Sequence, residues 1–296
     1  MGDLAAPFDP LLLRLHRARA ARRLGDEAFL AHRAAEDIAD RLEAVRRSFA
    51  RTLILGGGVL ERTLRARPAL AARLGDIIVA DPSEALGAVA CDAERLPFAD
   101  QAFDLALSPL LLHWCNDLPG ALIQIRRALR PDGLFIATVF GGDTLREARL
   151  AFIEAESALT GGASARIAPF GGVQDFAHLL QRAGFALPAA DRDVVQVRYR
   201  EPLRLFDDLR AMGETGALRD RPRPLSRALL AQTTAAYQGR FAEPDGRIRA
   251  TFELITMTGW APAPSQPTPL KPGSAAMRLA DALNVQERSA GEKAPR

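Results

Sequence analysis

The chain has 296 residues, of which 48% are hydrophobic and 25% are charged, and its formal net charge is +3. This composition is typical of a water-soluble globular protein, and the length accommodates one large α/β domain or two small ones, of which we expect the first. No window has the roughly eighteen uncharged apolar residues that a transmembrane helix requires. The 39 basic residues are interspersed with 36 acidic ones rather than gathered on one stripe, which disfavours nucleic acid as a partner.

The amino-terminal 50 residues predict a helical segment before any strand. Apolar residues recur at helical spacing over about 11–23 and 27–47. Aspartates surround the basic first helix and no cleavage site follows it, so neither a transit peptide nor secretion is expected. The two cysteines, Cys91 and Cys115, have no redox or metal-ligand spacing, which favours a reducing compartment such as the bacterial cytoplasm.

After residue 50 the pattern changes to short apolar runs that alternate with helical stretches. Continuous apolar strands in this arrangement are typical of a parallel sheet covered on both faces, with the ligand at the carboxyl edge. We therefore predict an α/β fold with a doubly wound, mostly parallel, seven-stranded sheet. The predicted strands cover residues 52–55, 77–80, 88–91, 103–108, 133–140, 193–199 and 248–260.

The rest of the predicted domain, residues 51–261, contains helices and one irregularity. The sequence PSEALGA between the second and third strands is short for a parallel crossover, so we expect a distorted sheet there. The last two predicted strands are expected to add antiparallel pairs to the parallel sheet. Residues 262–296 form a proline-rich tail that we expect to be mostly flexible. The predicted helices cover residues 143–159, which form an insertion, and 173–185, 201–212 and 226–241.

Three glycines, Gly56, Gly57 and Gly58, lie between the first strand and a helix. The start of a helix directs N–H groups and a positive dipole end at a ligand, and glycine lets the ligand come close. The turn alone is a weak signal, because tight turns also use glycine for steric reasons. It also lacks the third glycine of a dinucleotide fingerprint, where Glu61 stands.

Two aspartates follow neighbouring strands at the same predicted edge. Asp81 ends the second strand, where its carboxylate can accept hydrogen bonds from both ribose hydroxyls of an adenosine. Asp92 follows the third strand and can accept from an exocyclic amine such as that of adenine. Each alone is more often a cap or turn residue. Both together beside the glycine turn favour an adenosine-type ligand.

Several motifs resemble those of class I S-adenosylmethionine-dependent methyltransferases. They are the glycine turn, DPS at 81–83, CDAERLPF at 91–98, FDLALS at 103–108 and RRALRPDGLF at 126–135. HWCNDLP at 113–119 and GGDTL at 141–145 narrow the resemblance to the family of mitochondrial complex I assembly factor 5 and its bacterial relatives. The likeness runs from about Phe8 to Asp281.

The resemblance implies S-adenosylmethionine as the cofactor and a respiratory complex I subunit as the partner. The family's human member is understood to hydroxylate an arginine of such a subunit, whereas bacterial members are described as methyltransferases. A cytoplasmic protein, peripheral to the inner membrane through its partner, is implied. The cofactor-binding residues would be Gly56, Gly57, Gly58, Asp81, Pro82, Asp92, Ala93 and Ser108.

Two substitutions depart from the family's pattern in the glycine turn. Ile54 stands where the family has an acidic residue that helps to hold the ligand's ammonium group. Loss of such a charge-assisted hydrogen bond costs about 1.5–3 kcal/mol. Leu60 replaces the family's last glycine, and its side chain could crowd the helix against the ligand. A weakened or repurposed cofactor site is expected.

His113 and Asp143 are the candidates for chemistry. His113 could act as a general base near neutral pH, although a His-Trp pair such as His113 and Trp114 is more often packing. If the substrate is an arginine, Asp143 or Glu214 could bind the guanidinium, but Asp143 also has a capping interpretation. The four histidines show no two-histidine, one-carboxylate spacing, and no metal is expected.

Three functions remain open from the sequence. The first is an enzyme that modifies a complex I subunit by arginine hydroxylation or methyl transfer. The second is a methyltransferase acting on a small acid or a carrier-bound substrate such as malonyl-carrier protein. The third is a non-catalytic assembly factor with a degraded cofactor site, which Ile54 and Leu60 favour and which Asp81 and Asp92 disfavour.

Overall fold

The computed structural model of the chain describes residues 6–23 and 28–266, together with residues 277, 278, 280, 281, 284 and 285. The chain divides into two compact units, Met1–Pro262 and Ala263–Arg296. Most of the predicted proline-rich tail lies outside the described residues.

The first unit contains nine α-helices, a short 3-10 helix and seven strands in its described part. The helices are α1 (Pro10–Ala20), α2 (Phe29–Ala44), α3 (Val59–Arg65), α4 (Pro68–Ala71), α5 (Leu118–Ala128), α6 (Arg146–Thr160), α7 (Val173–Arg182), α8 (Pro202–Met212) and α9 (Arg227–Phe241), with the 3-10 helix at Leu112–Trp114. The strands are β1 (Phe49–Leu55), β2 (Leu74–Asp81), β3 (Val89–Ala90), β4 (Phe103–Pro109), β5 (Leu129–Phe140), β6 (Ala186–Tyr199) and β7 (Ile248–Trp260).

The seven strands form one sheet in the order β3-β2-β1-β4-β5-β7-β6. The first five strands run parallel, and β7 runs antiparallel to both of its neighbours. The predicted doubly wound, mostly parallel α/β fold is therefore confirmed. The order reverses at β1, so the carboxyl ends of β1, β2 and β4 meet at the switch point of the sheet.

Helices cover both faces of the sheet, as continuous apolar strands require. One face packs against α2 and α3, through residues that include Ile38, Leu42 and Leu60. The opposite face packs against α5 and α7. A third apolar cluster joins the ends of β5 and β7 to α6, α8 and α9. Among the described residues, no helix has the length and apolar character to cross a membrane.

The predicted irregularity between β2 and β3 is present. The crossover is a set of turns rather than a helix, and β3 has only two residues instead of the four predicted. The chain turns after α7 at Gly184, which has a φ of +79° and forms a left-handed helix cap. The strands β5 and β6 begin earlier than predicted, at Leu129 and Ala186, because Leu129 already pairs with Phe103 of β4 and Ala186 already pairs with Trp260 of β7.

The packing of α2 on the sheet gives a stability prediction. Ile38 is fully buried in the cluster between α2 and the sheet. Truncation to alanine removes buried methyl groups and leaves a cavity, so Ile38→Ala should lower the free energy of unfolding by about 2–5 kcal/mol. Urea denaturation measures this change. Leu150→Ala on α6, whose leucine is 40% exposed, serves as the control and should change the value by far less.

Candidate active site

The glycine turn after β1 lies at the switch point of the sheet. Gly56 and Gly58 have φ values of +97° and +109°, a region that L side chains rarely adopt. The Gly56 N–H donates to the Ala80 carbonyl at 2.9 Å, which ties the turn to β2. These two glycines are required by the backbone, independently of any ligand.

The Asp81 carboxylate, at the end of β2, is fully buried and paired with Arg17 from α1. Arg17 donates from Nη2 to Oδ2 at 2.6 Å, and from Nε to Oδ2 at 3.0 Å and to Oδ1 at 3.1 Å. The backbone N–H groups of Gly57 and Ser83 donate to the same carboxylate, at 2.9 and 2.8 Å. Both carboxylate oxygens therefore already accept hydrogen bonds from within the chain.

The Arg17 guanidinium is buried, with 6% of the residue exposed. Burial acts to lower the pKa of Arg17, but the charge and hydrogen bonds of Asp81 raise it, with a further contribution from the charge of Glu214, so that the pKa lies above its ordinary value. The guanidinium is therefore charged, and its attraction to the Asp81 carboxylate is strong because little water screens the pair.

The turn between β2 and β3 covers the glycine turn from the other side. A Cβ added to Gly57 would lie 1.7 Å from the Leu86 carbonyl oxygen, and one added to Gly56 would lie 2.9 Å from the Pro109 carbonyl oxygen. The space left beside Gly57, Arg17 and Leu86 is a cavity of about 30 Å³. The glycines here make room for the chain's own backbone.

A second cavity, of about 290 Å³, lies beyond β3 on the other side of Asp81. Pro82, Asp92 and Ala93 line it, together with Leu13 of α1 and Leu111. Asp92 is exposed, and its carboxylate accepts the Glu94 N–H at 2.9 Å. This cavity has the size and the carboxylate that an adenine base requires. Asp81 does not line it.

In this arrangement the Arg17–Asp81 pair is an obstacle to S-adenosylmethionine. The adenine end of such a ligand has a cavity beside Asp92, but Arg17 uses the carboxylate that would accept from the ribose hydroxyls. The remaining 30 Å³ beside the glycine turn is about the volume of one water molecule in the liquid, which is too small for the ribose and the amino-acid portion.

A large cavity, of about 630 Å³, lies between α1, α6, α8 and the loops around residues 166–170 and 214–225. Its wall is mainly apolar and aromatic and includes Trp114, Phe140 and Phe170, and Glu214 lines it as well. Glu214 also lines the small cavity beside Arg17, and Trp114 also lines the cavity that contains Asp92. The large cavity therefore adjoins the cavity beside Asp92 at Trp114 and the small cavity beside Arg17 at Glu214.

Two neighbouring side chains fix the position of the Glu214 carboxylate. The Trp114 indole N–H donates to Oε2 at 2.9 Å, and Nε2 of His113 lies 3.1 Å from the same oxygen. The His113 ring also packs against Phe140 and Phe170, with centroid distances of 4.8 and 5.2 Å. Its Nδ1 is buried without a hydrogen-bond partner among the described residues. His113 does not line the large cavity, so it acts on that cavity through Glu214.

A buried ion pair holds the loops that form the cavity's outer wall. Nη2 of Arg166 donates to Glu156 of α6 at 2.8 Å and to the Arg223 carbonyl at 3.0 Å. The Arg166 hydrogen bond lowers the pKa of Glu156 to about 2, and the hydrogen bonds from Ser164 add to this effect. Arg166 therefore joins α6 to two loops.

The other sequence candidates lie outside these cavities. Asp143 is half-exposed and 3.8 Å from Arg146, and it does not line the large cavity. Ser108 is fully buried at the end of β4, and its hydroxyl has no partner among the described residues. Ile54 and Leu60 are fully buried together in the apolar cluster beneath the turn. Leu60 therefore packs into the core, and the expectation that it crowds the ligand was wrong.

The residue that sequence analysis missed is Arg17. It lies on a helix that was treated as a separate segment, among many arginines, and nothing in the local pattern distinguishes it. Its signal is tertiary, because only the docking of α1 at the end of β2 brings it to Asp81. Among the residues that the structure describes, no group of three or more His, Cys, Asp or Glu side chains is arranged to hold a metal ion.

Comparisons with known proteins agree with this fold. A family described as "Methyltransferase domain" matches residues 66–137. The crystal structure of the YcgJ protein from Bacillus subtilis superimposes with a TM-score of 0.51, at 16% identity, over 78% of this chain and 99% of that chain. The sheet and this sequence match define a protein with a methyltransferase domain.

Relatives of two kinds show which named proteins are similar in sequence to this chain. The human protein named arginine-hydroxylase NDUFAF5, mitochondrial, is 38% identical over 287 residues, which cover 93% of this chain and 82% of that protein. The zebrafish (Danio rerio) protein of the same name is 42% identical over 197 residues, or 67% of this chain. A malonyl-[acyl-carrier protein] O-methyltransferase from Halorhodospira halophila is 33% identical over 276 residues, covering 88% and 90% of the two chains.

The chain therefore belongs to the family of arginine-hydroxylase NDUFAF5, as its GGDTL and HWCNDLP motifs predicted. The match spans 61% of the length of the zebrafish relative.

The Glu156–Arg166 pair gives a pH-dependent prediction. The pKa of Glu156 is about 2 in the folded protein and near its ordinary 4.5 when unfolded. Its contribution to stability is therefore complete above pH 4.5 and is lost as the pH falls towards 2. Glu156→Gln should lower the free energy of unfolding by about 1.5–3 kcal/mol at neutral pH, since a hydrogen-bonded charge is removed.

Urea denaturation of both proteins at a series of pH values measures the difference. The wild-type advantage should shrink steadily as the medium is acidified below pH 4.5. A difference that stays constant over that range would mean that the charge of Glu156 does not stabilise the loops.

Proposed function

We propose that the chain modifies an arginine side chain of a protein partner, with the guanidinium held in the large cavity by Glu214. The main observation in support is Glu214, a buried acidic residue that lines a cavity of about 630 Å³ with aromatic walls and whose carboxylate is oriented by two hydrogen-bonding neighbours. A carboxylate with aromatic rings around it is the environment that binds a guanidinium or an ammonium group. The relatives named arginine-hydroxylase support this choice of substrate.

The charges around the cavity favour a cationic substrate over an acid. Each arginine on its wall already pairs with an acidic side chain of the chain itself. These pairs are Arg166 with Glu156, Arg210 with Asp207, and Arg221 with Asp9. A malonyl carboxylate would meet the negative charge of Glu214, and no unpaired arginine lies among the described residues that line the cavity to offset it. The resemblance to malonyl-carrier methyltransferases therefore supports a shared fold more than a shared substrate.

The chain's residues have distinct proposed roles. Glu214 binds and orients the guanidinium, while Trp114 and Phe170 pack against its planar faces and keep water away. His113 is a positioning residue, because its Nε2 holds Glu214 and its ring lies behind the cavity wall. We propose S-adenosylmethionine as the nucleoside ligand, with its adenine beside Asp92.

The proposed partner is a respiratory complex I subunit, modified during assembly. This follows from the family resemblance of the GGDTL and HWCNDLP motifs. In a bacterium the protein would then work in the cytoplasm, at the inner surface of the membrane where its partner resides.

A second candidate, a non-catalytic assembly factor, is favoured by one observation. Arg17 uses the carboxylate on which the ribose of a cofactor depends. If that pairing never opens, the fold serves only as a binding surface for the partner.

Coexpression with the proposed partner subunit tests the function. Intact-mass and peptide mass spectrometry of the subunit should show an added oxygen or an added methyl group on one arginine. Glu214→Gln keeps the size and removes the negative charge, so the modified fraction should fall at least tenfold, equivalent to about 1.4 kcal/mol of lost binding to the cation. Glu154→Gln, at a half-exposed position on α6, is the matched control and should modify the subunit normally.

The outcomes separate the candidates. An unmodified subunit that still binds the chain would support the non-catalytic assembly factor. A methyl ester on a carrier-bound acid, with no change on the subunit, would support the malonyl-type reaction. A modified arginine that is unaffected by Glu214→Gln would contradict the role of Glu214.

A further inference from the structure

We infer that Arg17 is an internal competitor for the cofactor's ribose position, so that the nucleoside binds only after α1 releases its guanidinium from Asp81. This inference rests on the proposed nucleoside site. It adds that a side chain of the same protein, Arg17, limits access of the nucleoside to that site.

The geometry of the pair is that of a bound ligand rather than of a surface ion pair. Arg17 presents two nitrogen atoms to one carboxylate, at 2.6 and 3.0 Å, and both side chains are buried. A ribose with two adjacent hydroxyl groups would donate to the same carboxylate oxygens. The two donors cannot occupy the position together, because the free volume beside Gly57 is only about 30 Å³.

The position of Arg17 beside the proposed substrate cavity supports the same conclusion. The cavity beside Asp92 would take the base, and the cavity beside Glu214 would take the substrate. Arg17 lines the small cavity together with Glu214, and the charge of Glu214 helps to raise the pKa of Arg17. Its guanidinium therefore lies near the carboxylate of the proposed substrate site while it is paired with Asp81.

The helix that carries Arg17 is held by little apolar packing. In α1 only Leu13, Arg17 and Ala20 are buried, whereas Leu11 and Leu15 are 72% and 53% exposed. Leu12 is partly buried and packs against the same apolar cluster as Leu13. Since apolar burial contributes about 25 cal/mol per Å², this small number of apolar side chains anchors the helix only modestly. The Arg17–Asp81 pair is the main buried polar contact of α1. If ribose hydroxyls replace Arg17 at Asp81, α1 loses this contact and can move away from the end of β2.

Competition between Arg17 and the ribose lowers the apparent affinity of the chain for a nucleoside. If the paired state predominates, the apparent affinity for a nucleoside is reduced in proportion to the fraction of molecules in which Asp81 is free. Removal of the guanidinium should therefore increase affinity, although it deletes a side chain from the site. A residue that helps to bind the cofactor would show the opposite change.

The experiment is calorimetric titration of the full chain with S-adenosylhomocysteine. Arg17→Ala and the bulkier Arg17→Gln should both bind at least tenfold more tightly than the wild type. Arg19→Ala, at an exposed position on the same helix, should bind like the wild type. The thermal midpoint of each variant checks that it is folded, and Arg17→Gln serves if Arg17→Ala does not fold.

A second measurement uses the wild type alone. Saturating S-adenosylhomocysteine should speed hydrogen exchange of the α1 amides, because the helix loses its buried anchor. Slower exchange in α1, or unchanged or weaker binding by both Arg17 variants, would overturn the inference while leaving the cofactor assignment intact. Absence of binding by every folded protein, the Arg17 variants included, would overturn the inference and the proposed cofactor together.

Discussion

The ion pair between Arg17 and Asp81 is the interaction on which the arrangement of the site depends. It joins the amino-terminal helix to the end of β2, and the same carboxylate accepts the Gly57 and Ser83 N–H groups. Buried charges of this kind are tolerated only when they are paired and hydrogen-bonded, and removal of one partner leaves an uncompensated charge. The pair therefore fixes α1, the glycine turn and the β2–β3 turn relative to one another.

The parallel sheet explains why these groups meet at all. Carboxyl ends of β1, β2 and β4 lie together where the strand order reverses, so residues distant in sequence converge at one edge. The proposed guanidinium site is built differently. Its carboxylate, Glu214, follows α8, and its aromatic neighbours come from the segment after β4, the end of β5 and the loop before α7. The sheet thus supplies the edge proposed for the nucleoside, and the added helices supply the cavity proposed for the substrate.

Sequence patterns predicted the elements well and their contacts less well. The apolar runs and helical spacings identified all seven strands and the antiparallel finish, because burial on both faces leaves a clear local signal. The short PSEALGA crossover also predicted the irregular β3. Local patterns do not indicate which element a helix packs against. For this reason α1 was treated as a separate segment, although its Arg17 pairs with Asp81 at the end of β2.

The same limit applies to individual side chains. Leu60 was expected near the ligand because of its place in a motif, but the helical turn directs it into the core with Ile54. Glu214 was one of two carboxylates that the sequence offered for binding a guanidinium. Sequence spacing does not reveal that Trp114 donates a hydrogen bond to Glu214, or that a cavity lies beside the two residues. Asp143 had an equally good motif context, and it lies half-exposed beside Arg146.

A crystal structure of the chain with S-adenosylhomocysteine tests the central claim most directly. The account predicts ribose hydroxyls within hydrogen-bond distance of the Asp81 carboxylate, the base beside Asp92, and the Arg17 guanidinium moved away from Asp81. A nucleoside bound while the Arg17–Asp81 pair remains intact would contradict it.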